Sequence, residues 1–387
     1  MINAKKLDVH RLDHSQLCGE DLDKASLSEF LFDVFLSKRR VLLYGATDEA
    51  RLLIETFPDV FHGIIDRQLP QGNKWNGLGS VNAIKEGDIV INCVCAANAW
   101  AVEQRIKRST AYQLHVYKFL KLVDKNHYFD SDRLNPVIRD WSVFPQVFLK
   151  NILFFNSLMD SFDDLESKVV FRDYLDSRLS GDIMLLGGGR TLIDPETMYF
   201  PEFLPEQRSR VFLDIGGFDG ANSLAALRTG NGTNAIICEP EPNNLTLLNN
   251  QLAGYQDRCF IEPVMVGDSN TDCYIQSNGP SSMKSEESGF GSVKVQQMTL
   301  DDLYEKYDLD RQNVFLKVDV EGGERFVFQK ASRFLRSKQK NVLALSVYHR
   351  ADDFVTLIPL IREFCKNRKM RLRHMTAGFA ETVLFVY

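Results

Sequence analysis

Apolar residues along this chain fall into short unbroken runs separated by helical stripes, and that alternation predicts an α/β protein built on parallel strands. A first set of runs lies at 40–44, 61–66 and 88–94. The first of them leads through Gly45 into a helical stretch reaching Ala50, and Glu86-Gly87 reads as the turn before the third. Ahead of them, Leu27, Phe30, Leu31, Val34 and Phe35 form a helical stripe within 21–36. Two more stripes, at 148–159 and 162–179, read as connecting helices, and Gly187-Gly188-Gly189 breaks the pattern after them. A second set of runs predicts strands at 211–215, 235–239, 258–262, 313–319, 342–348, 371–375 and 382–387, with no helix between the last two. Residues 276–292 are turn-rich and poor in apolar side chains, and they read as a long loop. The expected organisation is a smaller Rossmann-like parallel α/β domain at 1–142, a helical connector at 143–208 and a second α/β domain at 209–387.

Chemistry concentrates where the second set of strands ends. Val211-Phe-Leu runs into Asp214 and then into a turn holding Gly216, Gly217, Phe218, Asp219 and Gly220, with Asn222 and Ser223 opening a helix. Glycines suit a backbone that must turn sharply and leave room for a ligand. Helix N-terminal amides at the carboxyl end of a strand are where open α/β sheets bind ligands. The spacing D-x-G-x-x-x-G differs from the phosphate-cradling G-x-G-x-x-G, and the acid before the first glycine suits a cationic ligand. S-adenosylmethionine, with an ammonium group and a sulfonium, is such a ligand. The next run ends at Glu239-Pro240, and a carboxylate there is placed to hold a ribose diol.

A second constellation follows strand 313–319, where Lys317, Asp319, Glu321 and Glu324 occur within eight residues around Gly322-Gly323. Strand alternation puts Lys317, Asp319 and Glu321 on one face, which is costly unless they are paired or open to a site. The run at 342–348 ends in Tyr348-His349-Arg350. Carboxylates facing a histidine at neighbouring strand ends can take a proton from a hydroxyl acceptor, or Asp319, Glu321 and His349 can hold a divalent cation. The first domain is less well equipped. Asp66 stands where a ribose acid would, but the fingerprint positions are Gly45, Thr47 and Ala50, which makes close phosphate approach and a nicotinamide dehydrogenase unfavourable and a docking or oligomerisation role the simpler expectation.

Composition narrows the classes. At 387 residues two domains are the natural expectation. A net charge of −6 and the lack of a basic stripe with interleaved aromatics argue against nucleic acid as a partner. No apolar run approaches the roughly 20 residues of a membrane span, and Met1-Ile-Asn-Ala-Lys-Lys6 does not open a signal peptide. Seven scattered cysteines show no metal spacing, so a reducing, cytoplasmic setting is expected.

The ordered set D-x-G-x-x-x-G-x-x-S at 214–223, Glu239-Pro240, Thr299-x-Asp301-Asp302, Lys317-x-Asp319-x-Glu321-Gly322-x-Glu324, Tyr348-His349, and Arg373-His374 with Glu381-Thr382 resembles the FkbM-type methyltransferase family over about residues 150–387. Gly323, where an alanine is more usual, and the long 276–292 segment depart from that pattern. The resemblance implies S-adenosylmethionine dependence and a seven-stranded class I methyltransferase sheet with an antiparallel last strand. It also implies O-methylation of a small-molecule or carbohydrate acceptor, such as a sugar, glycan or secondary metabolite. On that reading Asp214 and Gly216 to Gly220 hold the methionine end, Glu239 the ribose and Val264 the adenine, with Phe218 or Tyr199 lining the pocket. Asp319 or His349 would deprotonate the acceptor, with a divalent metal and a homo-oligomer both compatible. A cofactor-holding assembly protein without turnover is the alternative.

Overall fold

Most of the runs that the apolar pattern marks out form strands buried on both faces, as parallel sheets require. The computed structural model describes residues 39–57, 59–94, 99–109, 111–123, 136–187, 198–205, 210–230, 233–276, 283–285, 292–376, 378 and 380–387. The helical stripe expected at 21–36, Gly188, Gly189 and most of 276–292 lie outside them.

Two compact units emerge, each described by itself. One comprises the described residues of Met1–Met159, Phe171–Arg190 and Thr376–Phe379. Its strands are β1 (Val41–Tyr44), β2 (Gly63–Ile65), β3 (Lys74–Trp75), β4 (Leu78–Gly79), β5 (Ile89–Asn92) and β6 (Tyr112–His115). Four of them make a parallel sheet in the order β2-β1-β5-β6, while β3 and β4 form a small antiparallel pair. Leu42, Tyr44, Val90 and Ile106 form a core cluster of this unit. In the expected connector, helices span Pro136–Lys150, Ile152–Ser161 and Leu165–Ser180, so the stripe read as one helix at 148–159 is broken at Asn151. Phe144, Phe148 and Phe155 pack ring against ring with centroids 5.3–6.4 Å apart.

The other unit comprises Asp160–Val170, Thr191–Met375 and Ala380–Tyr387, again in its described residues. Its strands are β7 (Arg210–Ile215), β8 (Asn234–Cys238), β9 (Cys259–Glu262), β10 (Val264–Gly267), β11 (Asp272–Gln276), β12 (Met283–Ser285), β13 (Ser292–Thr299), β14 (Asn313–Val318), β15 (Val342–Ser346), β16 (Met370–His374) and β17 (Thr382–Val386). Seven of these form one sheet in the order β16-β17-β15-β14-β7-β8-β9. It is parallel except for β17, which runs antiparallel to both β15 and β16. The expected seven-stranded sheet with an antiparallel final strand, and the smaller parallel sheet before it, are what the molecule has.

Clusters of apolar side chains pack against this sheet. One brings Tyr199, Phe212, Phe315, Val342 and Phe385 together, and another joins Leu224, Leu227, Ile237, Leu248 and Leu252. β7 pairs with β14 on one side and β8 on the other, so the chain reverses its direction of winding at β7. A crevice is expected at such a switch point.

One expectation changes in part. The segment read as a loop contributes β12, and its ends lie in β11 and β13, within a second sheet of order β10-β13-β11-β12. Among the described residues, Cys273, Ile275 and Val295 form a buried cluster in it, with Met265 and Val293 against them. A strand as short as β12, Met283–Ser285, leaves a weak imprint on the sequence.

Candidate active site

A cavity of about 440 Å³ opens at the carboxyl ends of β7, β8, β14 and β15. Its first wall is the turn after β7. Gly216 has φ +87°, and a Cβ there would stand 1.9 Å from the backbone oxygen of Asp319. At Gly217 a Cβ would stand 2.2 Å from Ile237 Cγ2. Both amides donate to Cys238 O, at 3.0 and 3.1 Å, which pins the turn against β8. Phe218 follows at φ +47°, half-exposed, and donates its N–H to Glu239 Oε2 at 2.8 Å. Asp219 Oδ1 accepts from the N–H of Ala221, the first residue of the helix Ala221–Thr229. Glu239 Oε1 accepts from the N–H of Glu241 at 2.9 Å and from Asn244 Nδ2 at 3.2 Å. Burial raises the Glu239 carboxyl above its ordinary value, against the pull of these donors.

Asp214 does not stand in this wall. It is fully buried under the turn, 2.9 Å from Lys317 Nζ, and accepts from Ser223 Oγ at 2.7 Å. Lys317, itself buried, also donates to Gly216 O at 2.6 Å. Burial opposes its charge, but Asp214 and Asp319 outweigh burial and hold it protonated. A buried pair of this kind is costly to break from either side. Its role here is to clamp the turn to β14. Gly220, with φ +84°, likewise packs against Leu248 and Leu252. The cationic ligand expected for Asp214 therefore has to find its counter-charge elsewhere.

The opposite wall is rich in carboxyl groups. Asp319, Glu321 and Glu381 all line the cavity, beside Tyr199, Tyr348 and Arg350. Asp319 Oδ2 accepts from Tyr199 OH at 3.0 Å. Burial would raise the Asp319 carboxyl, but Lys317 and His349 reverse that and hold it below its ordinary value. Glu321 and Glu381 sit at φ +53° and +65°, backbone conformations that non-glycine residues adopt at a cost and that cluster at functional sites. Burial pushes the Glu321 carboxyl up to about 7 and that of Glu381 to about 8.

His349 stands behind this wall. Its Nδ1 lies 2.9 Å from Glu324 Oε1, and its Nε2 lies 3.5 Å from Asp319 Oδ1 and 3.7 Å from Glu321 Oε2. Burial works against its charge, yet Glu324, Asp319 and Glu321 together raise its pKa well above the ordinary histidine value. The imidazolium form, with both nitrogens protonated, is therefore the resting one, and it is poorly suited to act as a base.

Asp319, Glu324 and His349 offer donor atoms within 4.8 Å of one another, with Glu324 in the place where Glu321 was expected. An imidazolium has no lone pair to give, so a divalent ion would have to displace the His349 proton. Glu324 Oε1 already accepts the N–H groups of Val320 and Gly322, at 2.9 and 3.4 Å.

The structure thus brings Tyr199, Gly216, Gly217, Phe218, Asp219, Glu239, Pro240, Val264, Asp319 and Glu321 to one cavity, and it leaves Asp214, Gly220 and His349 behind its walls. Sequence reasoning did not assign Lys317, Tyr348, Arg350 or Glu381 to the site. The signal for Lys317 was its place on the Asp319 face of β14. Glu381 had only its position before the last strand.

A doubly wound sheet of this order, with its cavity at the switch point, defines a methyltransferase-like fold. Residues 214–372 match the family model of the methyltransferase FkbM domain. The crystal structure of the methyltransferase FkbM from Methylobacillus flagellatus KT is similar in fold, with TM-score 0.69 and 18% identity over 96% of this chain and 100% of that one. Weaker similarity extends to a precorrin-6y C5,15-methyltransferase from Geobacter metallireducens (TM-score 0.28, 13% identity, 50% of this chain, 86% of that one). It also extends to Aeropyrum pernix fibrillarin solved with S-adenosyl-L-methionine (TM-score 0.29, 13% identity, 53% and 73%). No curated protein matches the sequence. Among the described residues, no helix is long and apolar enough to cross a membrane.

Proposed function

We propose that this protein transfers a methyl group from S-adenosylmethionine to a hydroxyl of a sugar, glycan or secondary metabolite. The observation that carries the reading is the meeting, in one cavity, of the Gly216–Phe218 turn, Glu239 at the end of the next strand, and the carboxylates after β14. A carboxylate has about four lone-pair positions, and the contacts of Glu239 use three, so one remains for a ribose hydroxyl. The exposed ring of Phe218, with Pro240 and Val264, supplies apolar surface for a nucleoside. The domain match supports methyl transfer as the reaction class.

When bound, the cofactor supplies an electrophilic methyl on a good leaving group. The chain's own work is then to position the acceptor and take its proton. Glu321 is the group we assign to the proton. It faces the cavity with 32% of its side chain exposed, and a carboxyl near 7 is matched to operation at neutral pH. His349, held by Glu324, positions Asp319 and Glu321 from behind.

Incubation with S-adenosylmethionine and a panel of sugars and glycosides is the test, read as S-adenosylhomocysteine formed together with a methylated product. Calorimetry that detects no S-adenosylmethionine binding by the full chain would overturn the proposal.

A further inference from the structure

Around the cavity, carboxyl groups outnumber the cations set against them. Lys317 is committed to Asp214 and Gly216 O, and His349 is shared among Glu324, Asp319 and Glu321. Arg350 turns its Nε toward Asp352, 3.8 Å away, at the rim. Asp319, Glu321 and Glu381 are therefore served by fewer cations than carboxylates. Tyr348 OH lies 3.4 Å from both Asp319 Oδ1 and Glu381 Oε1, so one hydroxyl proton is shared between two acids. The other oxygen of Glu381, Oε2, is buried and has no hydrogen-bond partner among the described residues. A buried, unpartnered carboxylate oxygen is expensive unless a ligand satisfies it.

Resting on the proposed reaction and deepening it, we infer that Glu381 and Asp319, joined through the Tyr348 hydroxyl, form an anionic seat that binds the sulfonium of the cofactor in preference to its neutral thioether product. The positive φ of Glu381 is the backbone cost of turning that carboxylate into the cavity. Glu381 is faced by Asp319 and Lys317 from β14 and the loop after it, by Tyr348 and His349 from the loop after β15, and by Tyr199 and Glu321. Burial chiefly raises its carboxyl to about 8; Asp319 and Glu321 add to the rise, while His349 and Lys317 oppose it. A sulfonium in the cavity would draw that proton off, and loss of the methyl would remove the attraction. The seat thus favours loading of the donor and release of the product, since only differential affinity shifts such an exchange.

Calorimetry of S-adenosylmethionine and S-adenosylhomocysteine binding to the full chain tests this. The sulfonium is expected to lower the Glu381 carboxyl by more than one unit, and so the sulfonium form to bind about tenfold more tightly at pH 8. In Glu381→Gln the ratio is expected to fall toward one while S-adenosylhomocysteine affinity stays near that of the natural chain. That retained affinity also shows the variant to be folded. Tyr348→Phe, which keeps the ring, is expected to lower the ratio part of the way. In buffers of different ionisation enthalpy near pH 7.5, only the sulfonium form should release a proton on binding. Equal affinities in the natural chain, or an unchanged ratio in folded Glu381→Gln, would overturn the inference and leave the proposed reaction standing. Binding of neither nucleoside would overturn the reaction itself, and the inference with it.

Discussion

The two units carry the same device at the same topological place and furnish it differently. In each, a central strand (β1 or β7) ends in a glycine of positive φ, flanked by parallel neighbours on both sides. In each, the strand alongside is followed by an acid that accepts an N–H from the glycine turn: Asp66 Oδ2 from Ala46 at 2.8 Å, and Glu239 Oε2 from Phe218 at 2.8 Å. Beyond that they diverge. At the first turn Thr47 caps its helix and donates Oγ1 to Cys93 O, Val94 packs over Gly45, and the other flanking strand ends in the neutral Asn92. At the second, that flanking strand brings Lys317, and the carboxylates of Asp319 and Glu321 follow it. A glycine turn is therefore a backbone solution shared by both; the ionic clamp beneath it and the acids beside it are what distinguish a candidate catalytic cavity.

The most severe way to break that distinction is Lys317→Met. It leaves Asp214 buried without its partner, and a loss of about 3–5 kcal/mol is expected in thermal or denaturant unfolding. Next comes Glu321→Gln, expected to slow methyl transfer about 10²-fold or more with S-adenosylmethionine affinity near normal in calorimetry. In the natural chain the rate should rise as pH passes about 7 and Glu321 loses its proton, a limb the variant should lack. The stability of the fold moves the other way. Folded Glu321 and Glu381 hold protons that the unfolded chain releases from about pH 4.5, so their favourable contribution is complete below that value and is lost as pH rises through 7 to 8.

The glycines sharpen the comparison. Gly216→Ala meets backbone at 1.9 Å and should cost about 3 kcal/mol and abolish cofactor binding. Gly45→Ala meets only the end of Val94, at 2.8 Å, and is expected to cost about 1–2 kcal/mol, read from unfolding midpoints, with cofactor binding intact. The mildest contrast pairs the two acids. Glu239→Gln should weaken S-adenosylmethionine binding about tenfold, whereas Asp66→Asn should cost about 1 kcal/mol of stability or less and leave that affinity unchanged.

Most of the strands were legible because parallel strands buried on both faces are apolar throughout, as Val211, Phe212 and Leu213 show. The glycine turns were legible because a sharp reversal tolerates few other residues. β12 and its small sheet were not, since their apolar positions are sparse and interrupted. The role of Asp214 was misjudged for a different reason. An acid before a glycine looks the same whether it faces a ligand or a lysine, and Lys317, which pairs with it, reaches the turn from 101 residues beyond Gly216. His349 was placed in the right cluster but on the wrong side of it, because a strand-end position does not say which way a ring turns.

Local chemistry, then, is what the chain determines by itself: where strands run, where they must turn, and which acids stand at their ends. The strand order alone sets β14 beside β7 and so converts Asp214 and Lys317 from two candidate ligands into a clamp. The same order, through contacts such as that between Tyr199 and Asp319 across 120 residues, builds the acidic wall and brings Glu381 into it. Charge on a side chain is a local property, but whether that charge is spent or available depends on which distant group the fold sets against it.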